Sequence, residues 1–157
     1  ALAVATLHAR GFNQEDFARA HPGGALGRRL ITRVRDIMRQ GSALPTVAEE
    51  ASVAQALMEI SKKGMGMTAV LDTSGRAVGI FTDGDLRRLI EAQGDIRQVP
   101  IKSGMSPSPQ HISPDVLAVQ AASIMDERRI SQLLVADDTG RLVGALHMHD
   151  LMTAKVI

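Results

Sequence analysis

Residues 82–85 combine side chains that can bind a ribose and a phosphate. The Asp85 carboxylate can accept hydrogen bonds from both hydroxyls of a ribose diol. Thr82 lies where an apolar segment ends and a helix begins, so its hydroxyl and free backbone N–H groups can receive phosphate. A structural interpretation stays open, in which Thr82 or Asp83 caps the helix and Asp85 complements the helix dipole.

A second segment, residues 147–150, carries an altered version of this pattern. Asp150 matches Asp85 and keeps an acceptor for a diol. His147, however, stands at the position that matches Thr82, so the phosphate-binding hydroxyl is missing there. A histidine that is partly protonated near neutral pH can instead contact an acidic ligand.

The same histidines invite a metal interpretation. His147 and His149 are two residues apart, and residues two apart on a strand share a face. Zinc usually takes three or four convergent ligands, and only His111 or a carboxylate could complete the set. A polar strand end that lines a cleft explains the histidines more simply, so we predict no metal site.

An internal repeat determines which elements position these residues. Residues 72–79 (DTSGRAVG) align with residues 137–144 (DDTGRLVG), 65 positions later, and the same offset relates Asp85 to Asp150. Upstream, residues 34–38 resemble residues 101–105 at an offset of 67, so the second copy has lost two residues in a loop.

Each copy predicts the element order β-α-β-β-α, an α/β (α+β) fold class. Apolar residues at helical spacing predict a helix over 51–63, with Ser52 and Gln55 as a capping box. Asp83 occupies a predicted N-cap position, and Gly94 ends the helix that follows. Strands are predicted at 67–71, 77–81, 133–136 and 142–146, and further helices at 113–127 and 150–156. Two such copies can bury their sheets against each other around a pseudo-twofold axis, which leaves two clefts between them.

Composition excludes several functional classes. Apolar residues make up 45% of the 157 residues, which indicates a globular chain, but only three are aromatic, so the core must be aliphatic. The net charge of +1, with no basic stripe, argues against nucleic-acid binding. Cysteine is absent, which excludes disulfides and thiolate sites and fits a cytoplasmic location. No apolar run reaches the roughly 20 residues that would span a membrane.

The segment Gly-Ile-Phe-Thr-Asp-Gly-Asp-Leu at 79–86, its repeat, and the opening Val-Arg-Asp-Ile-Met at 34–38 resemble a cystathionine-β-synthase-type (CBS) domain pair. The resemblance divides the chain into a remnant at 1–33, one repeat at 34–94 and another at 95–157. It implies adenine or other nucleotides in the clefts. The candidate ligand-binding residues are Met67, Thr68, Thr82, Asp83, Asp85, His111, His147, His149 and Asp150.

Residues 21–28, His-Pro-Gly-Gly-Ala-Leu-Gly-Arg, resemble the end of a sugar isomerase (SIS) domain, although a surface turn with an incidental histidine would look the same. Together with the CBS pair, they resemble the arabinose-5-phosphate isomerase family. This implies a bacterial aldose–ketose isomerase that interconverts D-ribulose 5-phosphate and D-arabinose 5-phosphate for Kdo, lipopolysaccharide or capsule synthesis. His21 is then the catalytic residue. The glutamate, lysine and phosphate-binding loop of the family are expected upstream, so we predict no isomerase activity for this chain alone.

The resemblance also implies a regulatory ligand and partners. Thr82 and Asp85, with Arg87 and Arg88 nearby for an acidic sugar, favour CMP-Kdo as effector, and an adenine nucleotide is the other candidate. No cofactor is expected. CBS pairs dimerise, and the parent enzyme is expected to be a tetramer. The alternatives are a structural oligomerisation module with empty clefts, or an AMP- or ATP-sensing CBS pair of another protein.

Overall fold

The structure, a computed structural model, describes residues 24–157. His21 lies outside the described residues, as does most of the segment 1–33, so the expectations for them stay predictions. Among the helices of residues 24–157, none combines the length and the apolar character that crossing a bilayer requires.

Both repeats fold in the predicted order β-α-β-β-α, and a short helix precedes each, so the predicted α/β class is confirmed. The first half contains α1 (Ala25–Ile31), α2 (Val34–Ile37), a 3-10 turn (Gly41–Ala43), β1 (Thr46–Ala48), α3 (Val53–Lys63), β2 (Met67–Leu71), β3 (Ala77–Thr82) and α4 (Asp83–Gln93). The second half contains α5 (Ile101–Gly104), β4 (Ser106–Pro107), β5 (His111–Ile112), α6 (Ala118–Arg128), β6 (Gln132–Ala136), β7 (Leu142–His147) and α7 (Met148–Thr153).

The repeats form two sheets with the same internal pairing. In the first sheet, of order β1-β2-β3-β4, β1 is parallel to β2, and β2 is antiparallel to β3. In the second sheet, of order β5-β6-β7, the corresponding strands pair in the same way. The register is preserved too, because Met67 pairs with Thr82 as Gln132 pairs with His147.

The segments that open the two repeats are exchanged between the two cores. We call residues 33–39 the first leader and residues 100–106 the second leader. Val34, in the first leader, packs in the core of the second repeat with Leu133 and Leu151. Ile101, in the second leader, packs in the core of the first repeat with Phe81. Each leader therefore carries residues of one repeat to the end of the other repeat's last strand.

A third apolar cluster joins the two sheets. Met65, Met67 and Ala69 of the first repeat pack with Leu134 and Ala145 of the second. The predicted burial of one sheet against the other is therefore present, and the contact is aliphatic. Both methionines are buried here, as expected for core residues.

Local sequence signals set the ends of two helices as predicted. Ser52 and Gln55 form the capping box of α3, because the Gln55 N–H donates to Ser52 Oγ at 3.2 Å and the Ser52 N–H donates to Gln55 Oε1 at 2.9 Å. Gly94 ends α4 with a φ of +74°.

Two predicted helix starts in the second repeat are wrong. The helix predicted from residue 113 begins at Ala118, because the backbone before it pairs with the first leader: the Val34 N–H donates to Val116 O at 2.9 Å. The helix predicted from residue 150 begins at Met148, because His147 supplies its cap. In the first repeat, Asp83 is not the N-cap of α4, which is Thr82.

Candidate functional site

The carboxylate of Asp85 lies at the junction between β3 and α4 and is 4% exposed. Its Oδ2 accepts a hydrogen bond of 2.9 Å from the Thr82 N–H and another of 3.0 Å from the Thr82 hydroxyl. The Asp85 N–H in turn donates to Thr82 Oγ1 at 3.3 Å. Thr82 and Asp85 thus form a capping box for α4, which is the structural role left open by the sequence.

The second carboxylate oxygen of Asp85 faces two different partners. Its Oδ1 accepts a hydrogen bond of 2.8 Å from the Ser106 hydroxyl, which arrives on the second leader. Arg88, one turn along α4, also donates to Oδ1, and its side chain is 69% exposed. The four acceptor positions of the carboxylate are therefore all used, but one donor can leave into solvent. We call Thr82, Asp83, Asp85, Arg88 and Ser106 the Asp85 site.

The Asp150 site, formed by Arg39, His147, His149 and Asp150, occupies the equivalent place after β7. Asp150 Oδ2 accepts a hydrogen bond of 2.9 Å from the His147 N–H, as Asp85 does from Thr82. Arg39 donates from Nε to both oxygens and from Nη2 to Oδ1, each at 3.3 Å. The two side chains are 25% and 19% exposed, so this ion pair is half-buried.

His147 caps α7 through its ring. The His149 N–H donates to His147 Nδ1 at 2.9 Å, so in the neutral ring the proton is on Nε2. Burial lowers the pKa of His147 below 6.5, and Arg39 and His149 lower this pKa further against the opposing effect of Asp150. A neutral imidazole is therefore favoured at this position near neutral pH.

Within residues 24–157, the histidines do not assemble a metal-binding cluster. His147 and His149 lie with ring centroids 6.4 Å apart, and the second is in the first turn of α7 rather than on the strand. His111 is exposed and pairs with Leu134 across the sheet. Across residues 24–157, no group of three or more histidines and carboxylates could hold a metal ion.

The other candidate residues of the first repeat are Met67 and Thr68, which lie in β2 beside the Asp85 site, and Asp83, which begins α4. Met67 pairs directly with Thr82 and is fully buried between the two sheets. Thr68 is also fully buried, and its hydroxyl donates to Ala69 O at 3.3 Å. Asp83 is exposed, and its N–H donates to Gly66 O at 3.3 Å. A ligand contact from the Met67 side chain would need the two sheets to separate locally, and one from the buried Thr68 hydroxyl would need a rearrangement on the other face of the strand.

Two residues of these sites were missed in the sequence, namely Ser106 and Arg39. Both follow the methionine that ends the Val-Arg-Asp-Ile-Met motif or its copy, at the offset of 67. That offset relates the two residues to each other, but only the exchange of the leaders brings each one to the carboxylate that follows the other repeat's last strand.

Comparison with known proteins identifies the family of the two repeats. The family model described as "CBS domain" matches residues 34–92 and 95–157. Over all 157 residues the chain is 52% identical to arabinose 5-phosphate isomerase KdsD of Salmonella typhi and 50% identical to that of Escherichia coli. The chain spans 48% of the length of these curated relatives. The predicted resemblance to that isomerase family is therefore confirmed for the part of it that this chain covers.

Solved structures share the paired fold. A CBS-domain protein of Agrobacterium tumefaciens has a TM-score of 0.70 at 25% identity, over 79% of this chain and 93% of that one. CBSX2, solved in complex with AMP, has a TM-score of 0.66 at 27% identity, over 78% and 95%. The CBS domain pair of protein MJ0100, solved with 5′-methylthioadenosine and S-adenosyl-L-methionine, has a TM-score of 0.69 at 26% identity, over 78% and 94%. With two matched repeats and this architecture, the chain belongs to the CBS domain family, as a tandem pair.

Proposed function

We propose that this chain is the nucleotide-sensing CBS pair of an arabinose 5-phosphate isomerase, and that it binds its effector at the Asp85 site. The observation that carries the proposal is the buried carboxylate of Asp85, which is held in place by Thr82 and paired on its other oxygen with Arg88, whose side chain is 69% exposed. The identity of about half over the whole chain supports the choice of parent enzyme.

Binding of a ribose diol at Asp85 requires that two acceptor positions become free. Arg88 is the partner that can leave, because its side chain is 69% exposed and its charge returns to water. Asp85 itself is buried, so the diol must replace the hydrogen bond that Arg88 gives up. Ser106 can rotate its hydroxyl away from Asp85 Oδ1 without a change in the backbone. The diol then replaces these donors, while the two hydrogen bonds from Thr82 keep the carboxylate oriented.

The phosphate of the effector is assigned to arginine side chains rather than to Thr82. The Thr82 hydroxyl already serves Asp85, and the acidic first turn of α4, with Asp83 and Asp85, opposes an anion at the helix terminus. Arg87 and Arg88 are both exposed on α4. Once displaced from Asp85, the guanidinium of Arg88 can bind a phosphate or a sugar carboxylate.

Two ligands fit this chemistry. AMP is supported by CBSX2, a structural neighbour solved with AMP, and the protein MJ0100 pair was solved with two other adenosine compounds. CMP-Kdo, a ribonucleotide joined to an acidic sugar, uses the same diol and additional cations. We favour CMP-Kdo because it combines the groups that Asp85, Arg87 and Arg88 recognise.

Isothermal titration calorimetry of the chain with CMP-Kdo, CMP and AMP tests the proposal. We expect binding of CMP-Kdo that is at least tenfold tighter than that of CMP, and at least tenfold weaker binding after Asp85→Asn. Binding of AMP without CMP-Kdo would overturn the feedback proposal. Unchanged affinity in Asp85→Asn would overturn the role of the diol.

The proposed parent enzyme gives His21 a role in catalysis. His21 would assist the aldose–ketose isomerisation, a proton transfer between adjacent carbons that needs acid–base groups. We expect the chain alone to show no conversion of D-arabinose 5-phosphate to D-ribulose 5-phosphate, and the full-length enzyme to show it without an added cofactor. CMP-Kdo should alter the rate of the full-length enzyme only.

We also propose that the chain dimerises, within a tetrameric parent, through faces that include α3. Met58 on this helix is 73% exposed, the largest exposed fraction among the exposed large apolar side chains of residues 24–157. It borders a groove formed with Val47 and Leu57.

A second candidate function is a structural module with empty clefts. It is favoured by one observation: all four acceptor positions of Asp85 are occupied by the protein's own donors. Thermal denaturation with a panel of nucleotides distinguishes the two, since a structural module would show no shift in melting temperature with any of them.

A further inference from the structure

We propose that Arg39 excludes a ribose diol from the Asp150 site, so that the chain binds one ribonucleotide, at the Asp85 site, and not two. The inference rests on the proposed function, because it names which of the two repeats receives the effector. It makes Arg39 a specificity-determining residue, acting from the first leader on the site of the second repeat.

Arg39 and Ser106 occupy equivalent places in the pair. Arg39 pairs with Ala145 on β7, and Ser106 pairs with the corresponding residue of β3, Ile80. Each is then directed at the carboxylate that follows that strand. Each carboxylate therefore has one partner from the other repeat, and the main difference between the two sites is that this partner is a serine at Asp85 and an arginine at Asp150.

The methionines that precede Arg39 and Ser106 fix both leaders in the same way. The sulfur of Met38 lies against Gly144, and the sulfur of Met105 lies against Gly79. A Cβ on either glycine would overlap the methionine side chain, so the methionine of each leader packs into a space that only glycine leaves open. We call each of these spaces a socket. The positions of residues 39 and 106 are thus set by the methionine that precedes each of them and do not depend on the side chains of residues 39 and 106.

The side chains that contact the two carboxylates differ in charge. Ser106 donates one neutral hydrogen bond to Asp85. The negative charge of Asp85 is paired instead by Arg88, whose side chain is 69% exposed. Arg39 gives Asp150 three contacts of 3.3 Å and a full positive charge at a half-buried position. Together with the His147 N–H, these contacts occupy the acceptor positions that a diol would need.

Arg39 also has less freedom to leave than Arg88. Its backbone N–H donates to Ala145 O at 2.8 Å, and the Ala145 N–H donates back to Arg39 O at 3.0 Å. Its Nη1 donates to Lys63 O at 3.4 Å, which ties the guanidinium to the end of α3. The backbone bonds fix where the side chain of Arg39 begins, and displacing its guanidinium would cost the hydrogen bond to Lys63 O and leave a half-buried charge unpaired.

Isothermal titration calorimetry with AMP and CMP, and with their 2′-deoxy forms, measures the number of diol sites. We expect one site per chain in the wild type. Arg39→Ser, which copies the serine of the Asp85 site, should raise the number to two, and the 2′-deoxy forms should not fill the added site. Ser106→Arg, the reciprocal change, should weaken binding at the Asp85 site at least tenfold.

Asp150→Asn and Asp85→Asn keep the test decisive if Arg39→Ser fails to fold. We expect Asp150→Asn to keep the wild-type stoichiometry and Asp85→Asn to weaken binding at least tenfold. Two diol sites in the wild type, a stoichiometry of one in folded Arg39→Ser, or loss of binding in Asp150→Asn would each overturn the inference while leaving nucleotide sensing intact. No binding of any nucleotide by the wild type would overturn the proposed function, and this inference with it.

Discussion

Arg39 Nη2 lies 3.3 Å from Asp150 Oδ1, although 111 positions separate the two residues in the chain. The contact joins the segment that opens the first repeat to the helix that closes the second. Its counterpart, between Ser106 and Asp85, spans only 21 positions, because the second leader follows directly after the first repeat. Each carboxylate of the pair is thus completed by the other repeat, which couples the two sites to the packing between repeats.

The sockets at Gly79 and Gly144 should be intolerant of a side chain. Gly79→Ala places a methyl group against Met105 and against Ser106 O, a backbone atom that cannot move freely. We expect a loss of about 1–3 kcal/mol in the free energy of unfolding, the range typical of overpacking. Urea denaturation measures the effect. Gly84→Ala is the matched control, because a Cβ there meets only ordinary contacts, and its stability should not fall.

The cap of α4 should depend on the hydroxyl of Thr82. Thr82→Ala removes the acceptor of the Asp85 N–H and a donor to Asp85 Oδ2, so we expect a loss of about 1 kcal/mol in stability. Thr82→Ser keeps both interactions and should stay near the wild type in thermal denaturation. Equal losses in the two variants would show that the methyl group, and not the hydroxyl, matters.

Protonation of His147 should make the fold less stable in mild acid. Because burial lowers the pKa of His147 in the folded state, the unfolded chain binds more protons between the folded pKa and 6.5. Stability is therefore complete above pH 6.5 and falls as the pH drops through this window. We expect a smaller loss between pH 7.5 and 5.5 for His147→Thr, which copies Thr82. Urea denaturation of the wild type and of His147→Thr at both pH values measures this loss of stability. Equal losses in the wild type and the variant would contradict the prediction.

The hairpin turn before β3 should require glycine at residue 75. Gly75 has a φ of +85°, in the left-handed region that other residues adopt at a cost of about 1–2 kcal/mol. A Cβ there would also approach the Arg141 guanidinium of the second repeat at 3.2 Å. We expect Gly75→Ala to lower the melting temperature, and Arg141→Ala in the same background to recover only the steric part of that loss.

The exposed face of α3 should control self-association. Met58→Glu replaces the exposed apolar side chain of this groove with a charge, so we expect the dimer to dissociate to a monomer in light scattering after size-exclusion chromatography. Lys62→Glu, on the same groove but already polar, is the control and should keep the wild-type mass. A monomeric wild-type chain would contradict the proposed dimer.

Local patterns in the sequence were sufficient for the repeat, for the order β-α-β-β-α and for the capping box at Ser52 and Gln55. These features depend on neighbours a few residues apart, where periodicity and hydrogen-bonding side chains act directly. The candidate aspartates were also visible, because Asp85 and Asp150 recur at the same place in both copies.

The tertiary structure decided what the sequence left open. α6 begins at Ala118 and not at residue 113, because the backbone before it is used by the first leader. Ser106 and Arg39 reach their carboxylates only through the exchange of leaders, a long-range arrangement that no local spacing encodes. The two carboxylates therefore match in sequence but differ in their partners, and the difference depends on which leader packs against which strand.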